Sequence, residues 1–329
     1  MNKRRKLLVA LGASALTAPL ASFAQKQGKV WRIGFLWETD HSAVEQYRDA
    51  FKAGMRELGY IEGKDYVIEQ RAAHADLARL PALAAELLAL KVDLFVASTT
   101  PSAIAARNTT RELPILMAAV SDPVGSGLAA SLRRPGGNVT GPTTGVASEL
   151  YTKRLDLLRQ MLPSMRRVGF LYNPDVAANV LGLRQFESDC SKLQFKSLRA
   201  PLRKPEEVAA IFNTLQQDKA QGLIVAAFSA SPAWKESIVE QAAKHRLPTI
   251  YGQSSYVDLG GLISYSTNFP DLYRRTAAYA VKIFKGAKPG DLPIEQPTKF
   301  ELVINLKTAK ALGVTIPQFL LITADKVIQ

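Results

Sequence analysis

The feature that most constrains this chain is a strand–helix alternation that runs through it twice. Trp31-Arg32-Ile33-Gly34-Phe35-Leu36 reads as a buried strand, and Arg167-Val168-Gly169-Phe170-Leu171-Tyr172 repeats its Gly-Phe-Leu centre. After the first strand, Val44, Tyr47, Phe51, Met55 and Leu58 recur at helical spacing. Ser42 is expected to cap that helix with Glu45 completing a capping box, and Gly59 to close it in the left-handed conformation. Further strands are expected at 66–70, 94–97 and 115–118, with Pro81 and Pro101 near the starts of the intervening helices. The second pass alternates helices near 177–192, 205–217 and 232–245 with strands near 195–200, 222–228 and 248–251. Strands separated by helices imply parallel sheets with right-handed crossovers. The expected fold class is therefore α/β, with two doubly wound lobes.

Three segments rich in turn formers interrupt this pattern, at 134–142, 260–265 and 289–297, and the last precedes a strand at 300–304. They read as three passages of chain between lobes, with bending points near 141–146, 262–266 and 297–300. Several crossings give a hinge that bends while holding the lobes in register. The boundaries that follow are 25–142 plus about 266–298 for the first lobe and 143–265 plus about 299–329 for the second.

Residues 1–24 read as an export leader. Lys3, Arg4, Arg5 and Lys6 form a basic start, Leu7 to Leu20 an apolar stretch, and Ser22-Phe23-Ala24 a small-residue cleavage site. The Arg4-Arg5 pair also resembles the twin-arginine pattern, so either export route is open. The apolar stretch is shorter than the roughly 20 residues a membrane span needs, and no transmembrane segment is expected in the mature chain. The only cysteine, Cys190, lies far from the cleavage site, which argues against a lipid anchor and excludes an internal disulfide. The net charge of +13 falls when the four leader cations are removed. The remaining basic residues are scattered, and export makes nucleic acid an unsuitable partner. The expected location is the periplasm, and a monomer is expected.

Several stretches resemble one family. They are Leu58-Gly59-Tyr60-Ile61-Glu62-Gly63-Lys64, Asp122-Pro123-Val124-Gly125-Ser126-Gly127-Leu128 and Pro135-Gly136-Gly137-Asn138-Val139-Thr140-Gly141. The best match runs from Gln296-Pro297-Thr298-Lys299-Phe300 to Lys310. In this order they resemble the ABC-transporter substrate-binding family that includes tryptophan- and phenylalanine-binding proteins. The resemblance implies the type I periplasmic binding protein fold, with two Rossmann-like lobes, a ligand between them, and an ABC permease in the inner membrane as partner. A periplasmic sensor for a membrane receptor or kinase uses the same capture and closure, and it is the alternative reading.

Ligands of open α/β sheets sit outside the carboxyl ends of the strands. That rule selects Ser98, Thr99 and Thr100 after the third strand, and Ser121 and Asp122 after the fourth. The hydroxyls, with the helix start behind them, are expected to hold a ligand carboxylate, although Thr100 also reads as a helix cap and Asp122 as a turn former. The second lobe offers Asn173, Phe228, Ser229, Tyr251 and Gln253, and Trp37 offers an opposite wall. Aromatic-amino-acid binders of the family tend to carry an acid at the strand end that here reads Ala226-Ala227-Phe228-Ser229. Its absence leaves Asp122 or Glu38 to meet an α-ammonium.

The Gly125-Ser126-Gly127-Leu128-Ala129-Ala130 match to a dinucleotide fingerprint follows the fourth strand instead of the first, the wrong place for that chemistry. His41, His74 and His245 have no metal-ligand spacing, and no nucleophile elbow is present. No cofactor, no metal and no catalytic activity are expected.

Overall fold

The computed structural model describes residues 29–145, 147–227, 232–297 and 299–329, with backbone alone at 41–43, 147–148 and 232. The expected leader lies outside these residues. The first pass builds one sheet. β1 (Trp31–Trp37) leads into α1 (His41–Glu57), followed by β2 (Tyr66–Ala72), α2 (Leu80–Ala89), β3 (Leu94–Ala97), α3 (Thr100–Thr109), β4 (Ile115–Met117) and β5 (Val139–Thr140). The strand order is β2-β1-β3-β4-β5, and every pair is parallel. Side chains alternate across a strand, so a strand buried on both faces needs helices on both. Ile33, Phe35 and Trp37 pack with Phe51 and Met55 of α1, whereas Leu36 packs with Leu83 and Leu87 of α2.

The ends of α1 differ from each other. Gly59 closes it at φ 85°, with Gly59 N–H donating to the Arg56 carbonyl at 3.0 Å and Tyr60 N–H to that of Met55 at 2.9 Å. That is the six-to-one and five-to-two pair of a Schellman close. At the other end Asp40, not Ser42, is the N-cap. The expected capping box does not form, because the third helical residue is then Ala43, which has no acceptor. Glu45 pairs with Arg48 at 3.0 Å instead.

The second pass opens with α4 (Ala147–Met161) and continues through β6 (Arg167–Tyr172), α5 (Ala177–Lys192), β7 (Lys196–Pro201), α6 (Val208–Gln217), β8 (Gly222–Val225), α7 (Pro232–Lys244), β9 (Thr249–Tyr251), α8 (Ser255–Asp258) and β10 (Ile263–Thr267). The remaining elements are α9 (Phe269–Phe284), β11 (Phe300–Asn305), α10 (Leu306–Leu312), α11 (Gln318–Thr323) and β12 (Lys326–Ile328). The second sheet has the order β12-β11-β10-β9-β8-β6-β7. Its core gathers Phe170, Phe186, Phe212, Ile224 and Ile250, all essentially inaccessible to water.

Two expectations change here. Residues 260–265 are not all connection: the turn is confined to the glycine pair, and Ile263–Thr267 is an inner strand between β9 and β11. Its alternation of Ser264, Tyr265 and Ser266 disguises it, although both serines are buried. The second sheet is also not wholly parallel, since β10 and β11 run antiparallel. The chain leaves β10 at its carboxyl end to form α9 and re-enters from the same side, so β11 must run the other way. In between, α9 packs on α1 of the first sheet. Gly54 permits that approach, because a Cβ there would collide with the Arg274 carbonyl and meet the Ala277 Cβ at 2.9 Å.

The passages between the sheets are tied to one another. Thr143 N–H donates to the Glu295 carbonyl at 2.9 Å, and Thr267 Oγ1 donates to the Thr144 carbonyl at 2.9 Å.

Candidate functional site

A cavity of about 750 Å³, open solvent included, lies where the carboxyl ends of the two sheets face each other. The first-sheet wall begins at the end of β1 with Glu38, which is only 3% exposed. The Thr99 hydroxyl, at the end of β3, donates to its carboxylate. Thr99 is the N-cap of α3, and Ser102 Oγ accepts from its N–H at 2.8 Å. Thr100 is thus the first helical residue, not the cap. Its hydroxyl sits 3.4 Å from both the N–H and the carbonyl of Ser121, joining the β3 and β4 loops. Thr99, Thr100 and Ser121 all line the cavity.

The second-sheet wall is carried by helices. Arg154 of α4 is 2% exposed and lines the cavity. Its Nε–H donates to the Tyr265 carbonyl at 2.8 Å, and its guanidinium carbon lies 5.0 Å from the centre of the Tyr151 ring. Burial works against its charge and pulls its pKa down. No carboxylate pairs with it among the described residues. Its compensation comes from the Tyr265 carbonyl and the Tyr151 side chain, and a buried cation without a carboxylate beside it is costly. Asn179 of α5 lines the same wall, donating to the Ala227 carbonyl at 2.9 Å. Gln253, after β9, completes it, and its Oε1 is buried with no hydrogen-bond partner.

Among the described residues no cluster of three or more His, Cys, Asp or Glu could hold a metal, and no helix is long and apolar enough to cross a membrane.

The family of ABC transporter substrate binding proteins matches residues 32–328. The chain belongs to that family. It is therefore a solute-binding protein and not an enzyme. It is 26% identical over 280 residues to the tyrosine-binding protein of Clostridioides difficile (strain R20291), covering 85% of this chain and 80% of that one. The structure of an ABC domain from Streptococcus pneumonia in complex with L-Trp superposes with a TM-score of 0.84 at 27% identity, over 91% of this chain and 100% of that chain. The ligand-free, open structure of a substrate binding protein with adhesive properties from Clostridium difficile gives 0.68 at 28% identity, over 91% and 99%. The two-sheet architecture is that of type I periplasmic binding proteins.

Within this substrate-binding protein the expected ligand residues part company. Thr99, Thr100, Ser121 and Gln253 are together on the main cavity. Ser98 lines the adjoining chamber. Asp122 does not reach either space: it holds φ 44° and accepts from Gly125 N–H at 2.9 Å, ordering the turn. Trp37 is fully buried behind the wall, stacked between Phe35 at 5.1 Å and Tyr273 at 5.6 Å, with its N–H on Gln70. Tyr251 is buried and stacked on Tyr256 at 4.8 Å. Asn173 builds a turn, accepting from Asp175 N–H at 2.9 Å, while its own N–H donates to Asn179. Phe228 and Ser229 lie outside the described residues.

The strand-end rule could not have found Arg154 or Asn179, because both come from helices. A different signal marks them. Arg154 falls between Tyr151, Leu155 and Leu158 on the buried face of α4, and Asn179 shares a buried face with Leu183 and Phe186. A polar residue inside an apolar helical stripe is the legible clue.

Proposed function

We propose that this protein captures a small molecule with an amino-acid head, or a related carboxylate, between its lobes and delivers it to an inner-membrane ABC permease from the periplasm. The observation that carries this reading is Arg154, a buried cation in the cavity wall with no carboxylate partner among the described residues. A guanidinium offers a planar fork that suits a carboxylate. Glu38 on the facing wall suits an ammonium, and the hydroxyl of Thr99 already donates to it. The first wall therefore presents acceptors, and the ligand's carboxylate belongs on the Arg154 side and not at the hydroxyl cluster.

The relatives named for tyrosine and solved with L-Trp support an amino-acid class. At nearly equal identity the chain superposes better on the ligand-bound relative than on the open one, which supports closure about the passages between the sheets. The test is calorimetric titration of the mature protein with a panel of free amino acids and matching amines and carboxylates. Binding that needs the carboxylate and is strengthened by the ammonium is expected; tight binding of a ligand with neither group would overturn the reading. N-terminal sequencing of periplasmic material tests export, with Gln25 expected as the first residue.

A further inference from the structure

A second chamber of about 450 Å³ opens off the cavity, open solvent again included. The two spaces share Glu38, Thr99, Ala119, Gln253 and Phe269 as walls, so a ligand whose head sits at the main cavity can extend into the second. Val44, Tyr47, Phe269 and Tyr273 line the chamber with apolar and aromatic surface. Lys235 of α7 stands opposite.

The ammonium of Lys235 donates to Ser255 Oγ at 3.0 Å and lies 5.6 Å from the centre of the Tyr256 ring. No carboxylate pairs with it among the described residues. An ammonium carries three donors, and a hydroxyl and a ring face leave it under-compensated. Burial lowers its pKa to about 8, which measures how poorly the surroundings support the charge. Nearby acceptor capacity is also unused, since Gln253 Oε1 is buried without a partner.

We propose that this chamber is the side-chain subsite of the cleft, and that Lys235 selects amino acids whose side chain ends in an oxygen acceptor. The inference rests on the amino-acid reading above and narrows it. The apolar lining takes the body of the side chain and Lys235 takes its far end. A site built to donate a hydrogen bond rejects an analogue that lacks the acceptor, because its own buried donor is then left unpaired.

The test is calorimetric titration of the mature chain and of Lys235→Met with two pairs of probes, L-tyrosine against L-phenylalanine and L-glutamate against L-norvaline. Each pair differs in the terminal oxygen group, phenolic in one and carboxylic in the other. In the parent, the oxygen-bearing member of at least one pair is expected to bind about tenfold tighter or more, and in Lys235→Met that preference should shrink to about threefold or less. Thermal melting of the variant checks that it is folded. Equal affinity within both pairs in the parent overturns the inference and leaves the amino-acid reading standing, and the same holds for a preference that survives in the folded variant. Failure of all four probes to bind the parent overturns the inference, while the amino-acid reading is decided by the wider panel above.

Discussion

The two walls of the cleft arise from the same strand–helix unit but differ in charge and in where their polar groups come from. The first wall offers an acid and hydroxyls, Glu38, Thr99, Thr100 and Ser121, all at strand ends or in the first turn beyond. The second offers cations and amides, with Arg154, Lys235 and Asn179 supplied by the inner faces of helices and Gln253 by a strand-end loop. A cleft polarised in this way orients a zwitterion, since reversing the ligand sets like charges against each other. On the proposed amino-acid reading, neither wall alone would satisfy both ends of the ligand, so closure would draw on both lobes.

The strongest way to break the comparison is to remove the cation of the second wall. Arg154→Met is expected to weaken binding of an amino-acid ligand by about a hundredfold or more, since each hydrogen bond to a charged group contributes about 1.5–3 kcal/mol. Arg154→Lys should recover only part of this, because an ammonium lacks the planar fork. Calorimetry gives the affinities, and circular dichroism melts show that the fold is retained. An unchanged affinity in Arg154→Met would place the carboxylate elsewhere.

Glu38→Gln attacks the first wall. It keeps the shape and still accepts from Thr99, but it loses the charge that meets an ammonium. A loss of about ten- to a hundredfold is expected for a zwitterion, from one charged hydrogen bond. A simple carboxylate lacking the amine should lose much less. If both ligands lose affinity equally, Glu38 acts through the structure of the wall and not through an ammonium.

Lys235 sharpens the comparison through pH. In the ligand-free protein its pKa is lowered to about 8 by burial. An anionic or acceptor group at the chamber favours the charged form, so affinity for such a ligand should be flat below pH 8 and fall by up to about tenfold per pH unit above it. Glu38, Tyr47 and Tyr273 also face the chamber, Tyr256 lies beside the Lys235 ammonium and Glu301 near Tyr47, so the profile must be compared with that of Lys235→Met, which removes the Lys235 contribution alone. Stability of the empty protein should move in the opposite direction. The unfolded chain holds this proton up to about 10.5 and the folded one only up to about 8, so the Lys235 contribution to stability rises with pH across that window. Denaturant titrations of parent and variant at about pH 7 and about pH 9.5, one below and one within the window between the folded and unfolded values, check the sign.

Thr99→Val removes the hydroxyl that fixes Glu38 without touching either formal charge. A loss of about tenfold or less is expected, the cost of one hydrogen bond. The smallest effect should come from the hinge: ligand should slightly lower the radius of gyration measured by small-angle scattering. No change would argue for a preformed cleft.

The strand-end rule accounts for the uneven legibility of the two walls. It selected Thr99, Thr100, Ser121 and Gln253, which do line the cavity, because a loop leaving a strand has few directions to take. It also selected Trp37, Tyr251 and Asn173, whose side chains turn back into the core or into local turns. Which way a strand-end side chain points depends on its parity along the strand and on what packs behind it, and residue type alone does not carry that information.

The sequence alone determined the two-lobed α/β architecture, the close of α1 at Gly59 and the loops from which the first wall is built. These follow from periodicity and cap chemistry, which act over a few residues. Tertiary structure alone decided that Ile263–Thr267 is an inner strand, that β11 runs antiparallel to it, and that Arg154 and Lys235 face a cavity. A cation inside an apolar helical stripe is legible as unusual, but the stripe does not say whether a cavity or a packed neighbour lies in front of it. Burial is decided by residues distant in sequence, Tyr265 over Arg154 and Tyr256 over Lys235, and only once water has left does the charge demand a partner.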